Sequence, residues 1–217
     1  MDKLINLTMS YRSDSDIFTP YGYLEQNGYL EQNEVAINYT IPEKSELVAW
    51  IVSNWNPSSR RVQFYEELKK YINIHVFGRQ HLALDSDQTF SVVSKYKFYL
   101  SFENSIHTDY ITEKLWKNAL VSGSVPVVLG PPREIYERFI PSDSFIHVDD
   151  FPSAKQLASY LLELDKNDQK YQGYFKWRSK LRPVGTFSWI VHYCKACVEL
   201  QNVPSYRTIS SLGKWFT

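Results

Sequence analysis

This 217-residue chain has only two cysteines, no formal charge and no long apolar run, and each absence excludes something. Lys and Arg total 24, as do Asp and Glu. A protein that binds nucleic acid without regard to sequence is visibly basic, so that class is excluded. Nothing approaches the ~18 consecutive apolar residues of a membrane span. Met1-Asp2-Lys3 opens no apolar signal region. Neither G-x-G-x-x-G nor a P-loop occurs, so both standard phosphate cradles are missing. There is no G-x-S-x-G, which leaves a Ser-His-Asp hydrolase unsupported. His75, His81, His107, His147 and His192 share no ligand spacing, and the Asp149-Asp150 pair has no third partner in sequence, so no metal site is expected.

The two cysteines, Cys194 and Cys197, form one C-x-x-C near the C-terminal end. A single pair cannot build a four-ligand zinc site. A redox role needs a thioredoxin-like βαβ setting, and this pair falls in a helical-looking stretch. The remaining reading is that both thiols pair with cysteines on a segment not in this chain. Two glycosylation sequons, Asn6-Leu7-Thr8 and Asn38-Tyr39-Thr40, lean the same way, toward a secretory protein. Asn56-Pro57-Ser58 is excluded by its proline.

What is abundant is apolar and aromatic: 43% hydrophobic residues, enough for a real core, with 6 Trp, 16 Tyr and 12 Phe. The rings suit ordinary packing and also stacking on sugars or bases. The first ~45 residues read poorly as compact structure. They carry an exact tandem duplication, Gly22 to Asn27 repeated as Gly28 to Asn33, which fits a tolerant surface loop.

From Leu47 the pattern changes. Leu47 to Val52 is a continuous apolar run, like a strand buried on both faces. Ser58 is placed to cap a helix to about Tyr71. Strands are expected at Ile74–Phe77, Phe98–Phe102, Val125–Leu129 and Phe145–Val148. Helices are expected at Thr112–Ser122, closed by Gly123, at Arg133–Phe139, and at Ser153–Leu164, with Leu157, Tyr160, Leu161 and Leu164 on one face. Two more helical stretches follow, around Tyr171–Trp177 and Trp189–Gln201. Alternating strands and helices imply an α/β, Rossmann-like fold: a mainly parallel sheet covered by helices. Ligands bind such sheets beyond the C-terminal strand ends. Two breaks fall there, Ser53-Asn54 and Glu103-Asn104.

The segment KFYLSFENSIHTDYITEK, Lys97 to Lys114, concentrates the candidate chemistry. An apolar strand ends in an exposed carboxylate and amide, Glu103-Asn104, and a short loop leads to a helix start at Thr112-Glu113-Lys114. Backbone N–H groups and Lys114 can neutralise a diphosphate together. Glu113 could accept hydrogen bonds from ribose or sugar hydroxyls, although Glu113-Lys114 also fits a solvated pair. Arg61, after Ser53-Asn54, could hold a phosphate in bidentate fashion, or be one of two surface arginines with Arg60. Asn104 and Tyr110 could orient a polyhydroxylated ligand, or simply cap the loop.

FENSIHTDYITEKLW followed by SVPVVLGPPREIYERFIPSDSFIHVDDF closely resembles the GDP-fucose-dependent α1,3-fucosyltransferases, especially the Lewis-type branch. YRSDSDIFTPYG, VAWIVSNWNP, CKAC and the terminal KWFT match as well. The resemblance implies the C-terminal half of a two-domain GT-B glycosyltransferase. Residues 1–46 then become a lead-in with the duplicated loop, a remnant of an interdomain region, and 47–217 a donor-binding domain; the acceptor domain, stem and membrane anchor are expected N-terminal to Met1. By resemblance, Arg61 and Lys114 hold the GDP diphosphate and Glu113 contacts the nucleotide sugar. Asn104 and Tyr110 touch the donor, and Tyr21, Ser53, Asn54 and Tyr99 line the guanosine and phosphate pocket. The duplicated GYLEQN, beside Tyr21, is a departure from the family pattern.

The implied reaction is inverting transfer of fucose from GDP-fucose to the 3-hydroxyl of N-acetylglucosamine in N-acetyllactosamine-type glycans. No metal or other cofactor is required. The partner is a glycan acceptor on glycoprotein or glycolipid, with no nucleic acid, in the Golgi lumen; the full-length protein is type II, held to the membrane only by the missing anchor. The general base is expected in a Glu-Ser-Pro context before Met1, so the chain as given reads as a truncated product, inactive alone. Partners for Cys194 and Cys197 are expected in the same missing part. Two other readings stand beside this one: a GDP-sugar-binding half-domain without transfer activity, and a protein O-fucosyltransferase.

Overall fold

The structure, a computed structural model, describes residues 4–27, 39–185, 189–202 and 208–216. Five parallel strands form its centre: β4 (Glu46–Ile51), β5 (His75–Phe77), β6 (Tyr96–Phe102), β7 (Val125–Leu129) and β8 (Ile146–His147), in the order β5-β4-β6-β7-β8. Their residues are mostly apolar, without strict alternation, because helices cover both faces. In β6 every residue except Lys97 is buried. Phe98, Leu100 and Phe102 enter the largest core cluster with Trp50, and Tyr99 enters a smaller cluster on the opposite face.

The order reverses between β4 and β6, because β5 lies outside β4 and all later strands add on the other side. The C-terminal ends of β4 and β6 therefore flank a topological switch point, where open α/β sheets take their ligands. Ser53-Asn54 and Glu103-Asn104 both fall there, as expected.

The helices follow the sequence pattern with shifted ends. Helix α1 spans Arg60–Leu68; its first-turn boundary is Ser59 rather than Ser58, and neither hydroxyl caps it. Instead, the Ser59 hydroxyl donates to the Asn56 carbonyl at 2.6 Å. A short helix, α2 (Thr89–Val93), precedes β6. The expected helix after Thr112 is a π-helix, Lys114–Val121, and Gly123 follows it with φ +72°, a conformation glycine adopts without strain. Then come α3 (Arg133–Glu137), α4 (Ala154–Asp165), α5 (Asp168–Gly173), α6 (Trp189–Gln201) and α7 (Leu212–Phe216). Ser153 caps α4 by accepting from the Gln156 N–H. The last sheet strand stops at His147 and tightens into a 3-10 turn, Val148–Asp150.

The reading of the N-terminal segment as loosely structured does not hold for its described residues. β1 (Met9–Ser10) and β2 (Ile17–Phe18) pair in parallel. β3 (Gly22–Gln26), the first copy of the duplication, pairs antiparallel with β9 (Leu181–Gly185) over five residues. Nothing local announces this pair: its partner carries Pro183 and lies more than 150 residues away. The second copy, Gly28 to Asn33, and the sequon residue Asn38 lie outside the described residues. Asn6 of the other sequon is exposed.

Candidate donor-binding site

The site is built on β6 and the start of the π-helix. Glu103 ends the strand, but it is buried, 3% exposed, rather than presented to solvent. Its carboxylate accepts from the Thr112 backbone N–H at 2.8 Å and from the Thr112 hydroxyl at 2.8 and 3.0 Å. Lys114 Nζ lies 3.1 Å from Glu103 Oε2 and 3.1 Å from Glu113 Oε1, and donates to the Thr112 hydroxyl at 2.8 Å. Below it, the Ser101 hydroxyl donates to the Lys114 carbonyl at 3.0 Å, tying the helix start to the strand. Burial works against the Lys114 ammonium, but Glu103 and then Glu113 outweigh it and hold its pKa above the ordinary lysine value. Burial lifts the Glu103 carboxyl, while Lys114 and the Thr112 donors pull it back.

Across the switch point, Arg61 extends from the first turn of α1 and is 4% exposed. It donates to the carbonyls of Asn54 and, at 3.5 Å, Phe102, and its Nε–H has no partner. Among the described residues no carboxylate is within ion-pair distance of it. Burial lowers its pKa, and the more distant Glu103, Tyr110 and Glu113 work the other way. A guanidinium held only by carbonyls, with an N–H unpartnered, retains its charge for an anionic ligand.

Tyr110 and Tyr21 come together near this charge cluster, in a T-shaped contact with centroids 6.4 Å apart. Tyr11, from the N-terminal segment, meets Tyr110 at 5.1 Å. Burial raises the pKa of both Tyr21 and Tyr110. Asn104, Ser53 and Asn54 are exposed at the strand ends, and the Asn54 carbonyl also holds Arg61. Tyr99 is different. It is fully buried, and its hydroxyl accepts from Asn118 of the π-helix at 3.0 Å, so it braces the helix from beneath and presents no surface to a pocket.

Sequence reasoning misplaced one residue of this region, Glu103, and did not single out another, Asp109. Glu103 was read as exposed, and only its contacts show it to be the buried partner of Lys114. Asp109 adopts φ +60° and is 4% exposed; its carboxylate accepts from the Ser13 N–H and hydroxyl at 2.8 and 2.7 Å and pairs with Arg138 at 3.3 Å. It fastens the N-terminal segment to the loop carrying Tyr110, and a non-glycine residue with positive φ is its one recognisable mark. Among the described residues, no group of three or more His, Cys, Asp or Glu is placed to hold a metal. Cys194 and Cys197 are free and exposed on α6. No helix is long and apolar enough to cross a membrane among the described residues.

A sequence model described as glycosyltransferase family 10 (fucosyltransferase), C-terminal, matches residues 41–215. The chain belongs to this fucosyltransferase family. Its match begins just before β4 and takes in the whole switch point. Relatives include the human 3-galactosyl-N-acetylglucosaminide 4-alpha-L-fucosyltransferase FUT3, 54% identical over 100% of this chain and 59% of its own length. The human 4-galactosyl-N-acetylglucosaminide 3-alpha-L-fucosyltransferase FUT5 is likewise 54% identical, over 100% of this chain and 57% of its own. The chain thus spans well under two thirds of the curated relatives it matches. Among solved structures, an alpha1,3-fucosyltransferase with GDP-fucose superposes with a TM-score of 0.57 at 24% identity, covering 77% of this chain and 51% of that one. That likeness shows the fold: the parallel sheet is that of this fucosyltransferase.

Proposed function

We propose that this chain is the donor-binding part of a Golgi-lumenal fucosyltransferase. It binds GDP-fucose at the switch point, and the fucose passes to the 3-hydroxyl of N-acetylglucosamine in N-acetyllactosamine-type glycans on glycoprotein or glycolipid. The observation that carries this is the convergence of Arg61 and Lys114, from two different helices, on the C-terminal ends of β4 and β6. The names of the 54% identical relatives, which specify fucose transfer to galactosyl-N-acetylglucosaminides, support the substrate class.

In this reading the diphosphate lies between Arg61 and Lys114. As the acceptor oxygen attacks the anomeric carbon and the bond to GDP breaks, negative charge grows on the leaving phosphate. Arg61, Lys114 and the N–H groups of the first π-helix turn stabilise that charge. Glu113, 44% exposed at its side chain, exchanges its contact with Lys114 for a sugar or ribose hydroxyl of the donor. Tyr110, Tyr21 and Asn104 border the nucleoside and sugar.

Deprotonation of the acceptor needs a separate base. The carboxylates at the crevice are engaged: Glu103 by Thr112 and Lys114, Asp109 by Ser13 and Arg138, and Glu113, in this reading, by the donor itself. We therefore assign the base to a residue outside the described part of this chain. The test is displacement: GDP-fucose should release a bound fluorescent GDP analogue, and UDP-galactose should not. Equal release by both would contradict a guanosine-specific donor site.

A further inference from the structure

A second cleft, of about 330 Å³, opens beside β8 at the far edge of the sheet, between the loop before that strand, α3 and the α4–α5 region. It lies in the size range of small-ligand sites. Two strand spacings, roughly 10 Å, with β7 between them, separate β8 from the β6 edge of the donor crevice. The two regions are joined at the surface by Arg60, which pairs with Asp149 next to the cleft residue Asp150.

Three rings form its apolar walls. Phe151 and Tyr160 are tilted against each other with centroids 5.3 Å apart, and the hydroxyls of Tyr160 and Tyr174 are 2.6 Å apart. All three are only half-buried. The charges around them largely cancel. Arg133 is held by Asp150, with Nε at 3.0 Å, and by Glu137, and it lies over the Phe145 ring; Lys170 is held by Glu163. Two charged side chains of the lining remain without a hydrogen bond or ion pair among the described residues, the carboxylate of Asp143 and the ammonium of Lys176, both exposed.

This combination discriminates between ligand classes. One carboxylate and one ammonium leave no net charge for a phosphate or a nucleotide, and they are too polar for a purely apolar guest. A neutral sugar satisfies both. Its apolar ring face covers an aromatic ring, its hydroxyls donate to Asp143, and its oxygens accept from Lys176. We propose that this cleft is a second carbohydrate subsite that binds a neutral glycan away from the donor crevice. The choice of glycan rests on the function proposed above; the carbohydrate class rests on the lining.

The test uses the full chain and a neutral oligosaccharide of alternating galactose and N-acetylglucosamine, followed by saturation-transfer NMR and titration. We expect saturable binding with Kd near 1 mM, the weak-affinity scale. It should be weakened about tenfold in Asp143→Asn/Lys176→Ala, whose exposed positions spare the fold, and strongly in Tyr174→Ala. Binding should be unchanged in Arg61→Ala, which orphans no carboxylate, and with GDP present. No saturable binding by the folded chain, or the same affinity in the double variant, would overturn the subsite. Loss in a folded Arg61→Ala variant or competition by GDP would overturn it too, by moving the sugar to the donor crevice. GDP titrations of the same variants read the donor assignment separately, because Asp143→Asn/Lys176→Ala leaves that crevice intact.

Discussion

Glu103 and Lys114 face each other at 3.1 Å with 1% and 9% of their side chains exposed. Such a pair is expensive to break from one side, because truncating one partner leaves the other charge buried without compensation. The pair also fixes which lysine faces the switch point, since Thr112, between them in sequence, accepts from one and donates to the other.

Lys114→Ala should therefore cost stability as well as ligand affinity, about 3–5 kcal/mol of unfolding free energy. Adding Glu103→Gln to it should restore part of that loss, because the orphaned carboxylate is removed. Urea denaturation of the single and double variants measures this. A double variant less stable than Lys114→Ala would show that Glu103 is not the partner that matters.

Arg61 predicts a different pattern. It has no carboxylate partner to orphan, so Arg61→Ala should weaken GDP binding by about 1.5–3 kcal/mol, the scale of a charged hydrogen bond. Arg61→Lys should not rescue it, because an ammonium cannot reproduce contacts with two carbonyls and a phosphate. Full affinity in Arg61→Lys, measured by calorimetry, would reduce Arg61 to a point charge.

The N-terminal segment should prove part of the fold. A Cβ at Gly22 would lie 2.3 Å from Trp116 Cγ, inside the π-helix contact that β3 covers. Gly22→Ala should cost about 1–3 kcal/mol through overpacking. An unchanged thermal midpoint would mean that β3 is not seated on Trp116.

Stability should also depend on pH through Lys44. Its ammonium donates to the carbonyls of Ser94 and Gly123 at 2.7 and 2.6 Å, and beside it Arg178 donates to the Leu120 carbonyl between the rings of Tyr39 and Trp177. Burial, and then Arg178, pulls Lys44 down to about 7 from an ordinary 10.5. Between those values the unfolded chain binds the proton and the folded chain does not, so stability rises with pH across that window. Lys44→Met should flatten this rise in urea melts at pH 6 and pH 9. An identical slope in the variant would contradict the assignment.

Much of the sheet was legible because parallel strands buried on both faces read as unbroken apolar runs, as at Leu47–Val52 and Val125–Leu129. The switch-point location followed from where those runs end. Arg61, Lys114 and Tyr110 were legible as side chains at strand and helix ends. Three things were not. The β3–β9 pair is a long-range contact without a local signal. The burial of Tyr99 depends on Asn118, nineteen residues on. Glu103 looks exposed by position because a strand-end carboxylate normally is; only the Thr112 donors and Lys114, folded back over it, make its burial tolerable.

The most direct test of the donor site is calorimetric titration of GDP into the chain, beside Lys114→Ala and Arg61→Ala. Saturable binding, weakened in both variants while their far-UV spectra stay folded, is the predicted result. A folded chain that takes up no GDP, or binds it equally in all three forms, would contradict the account.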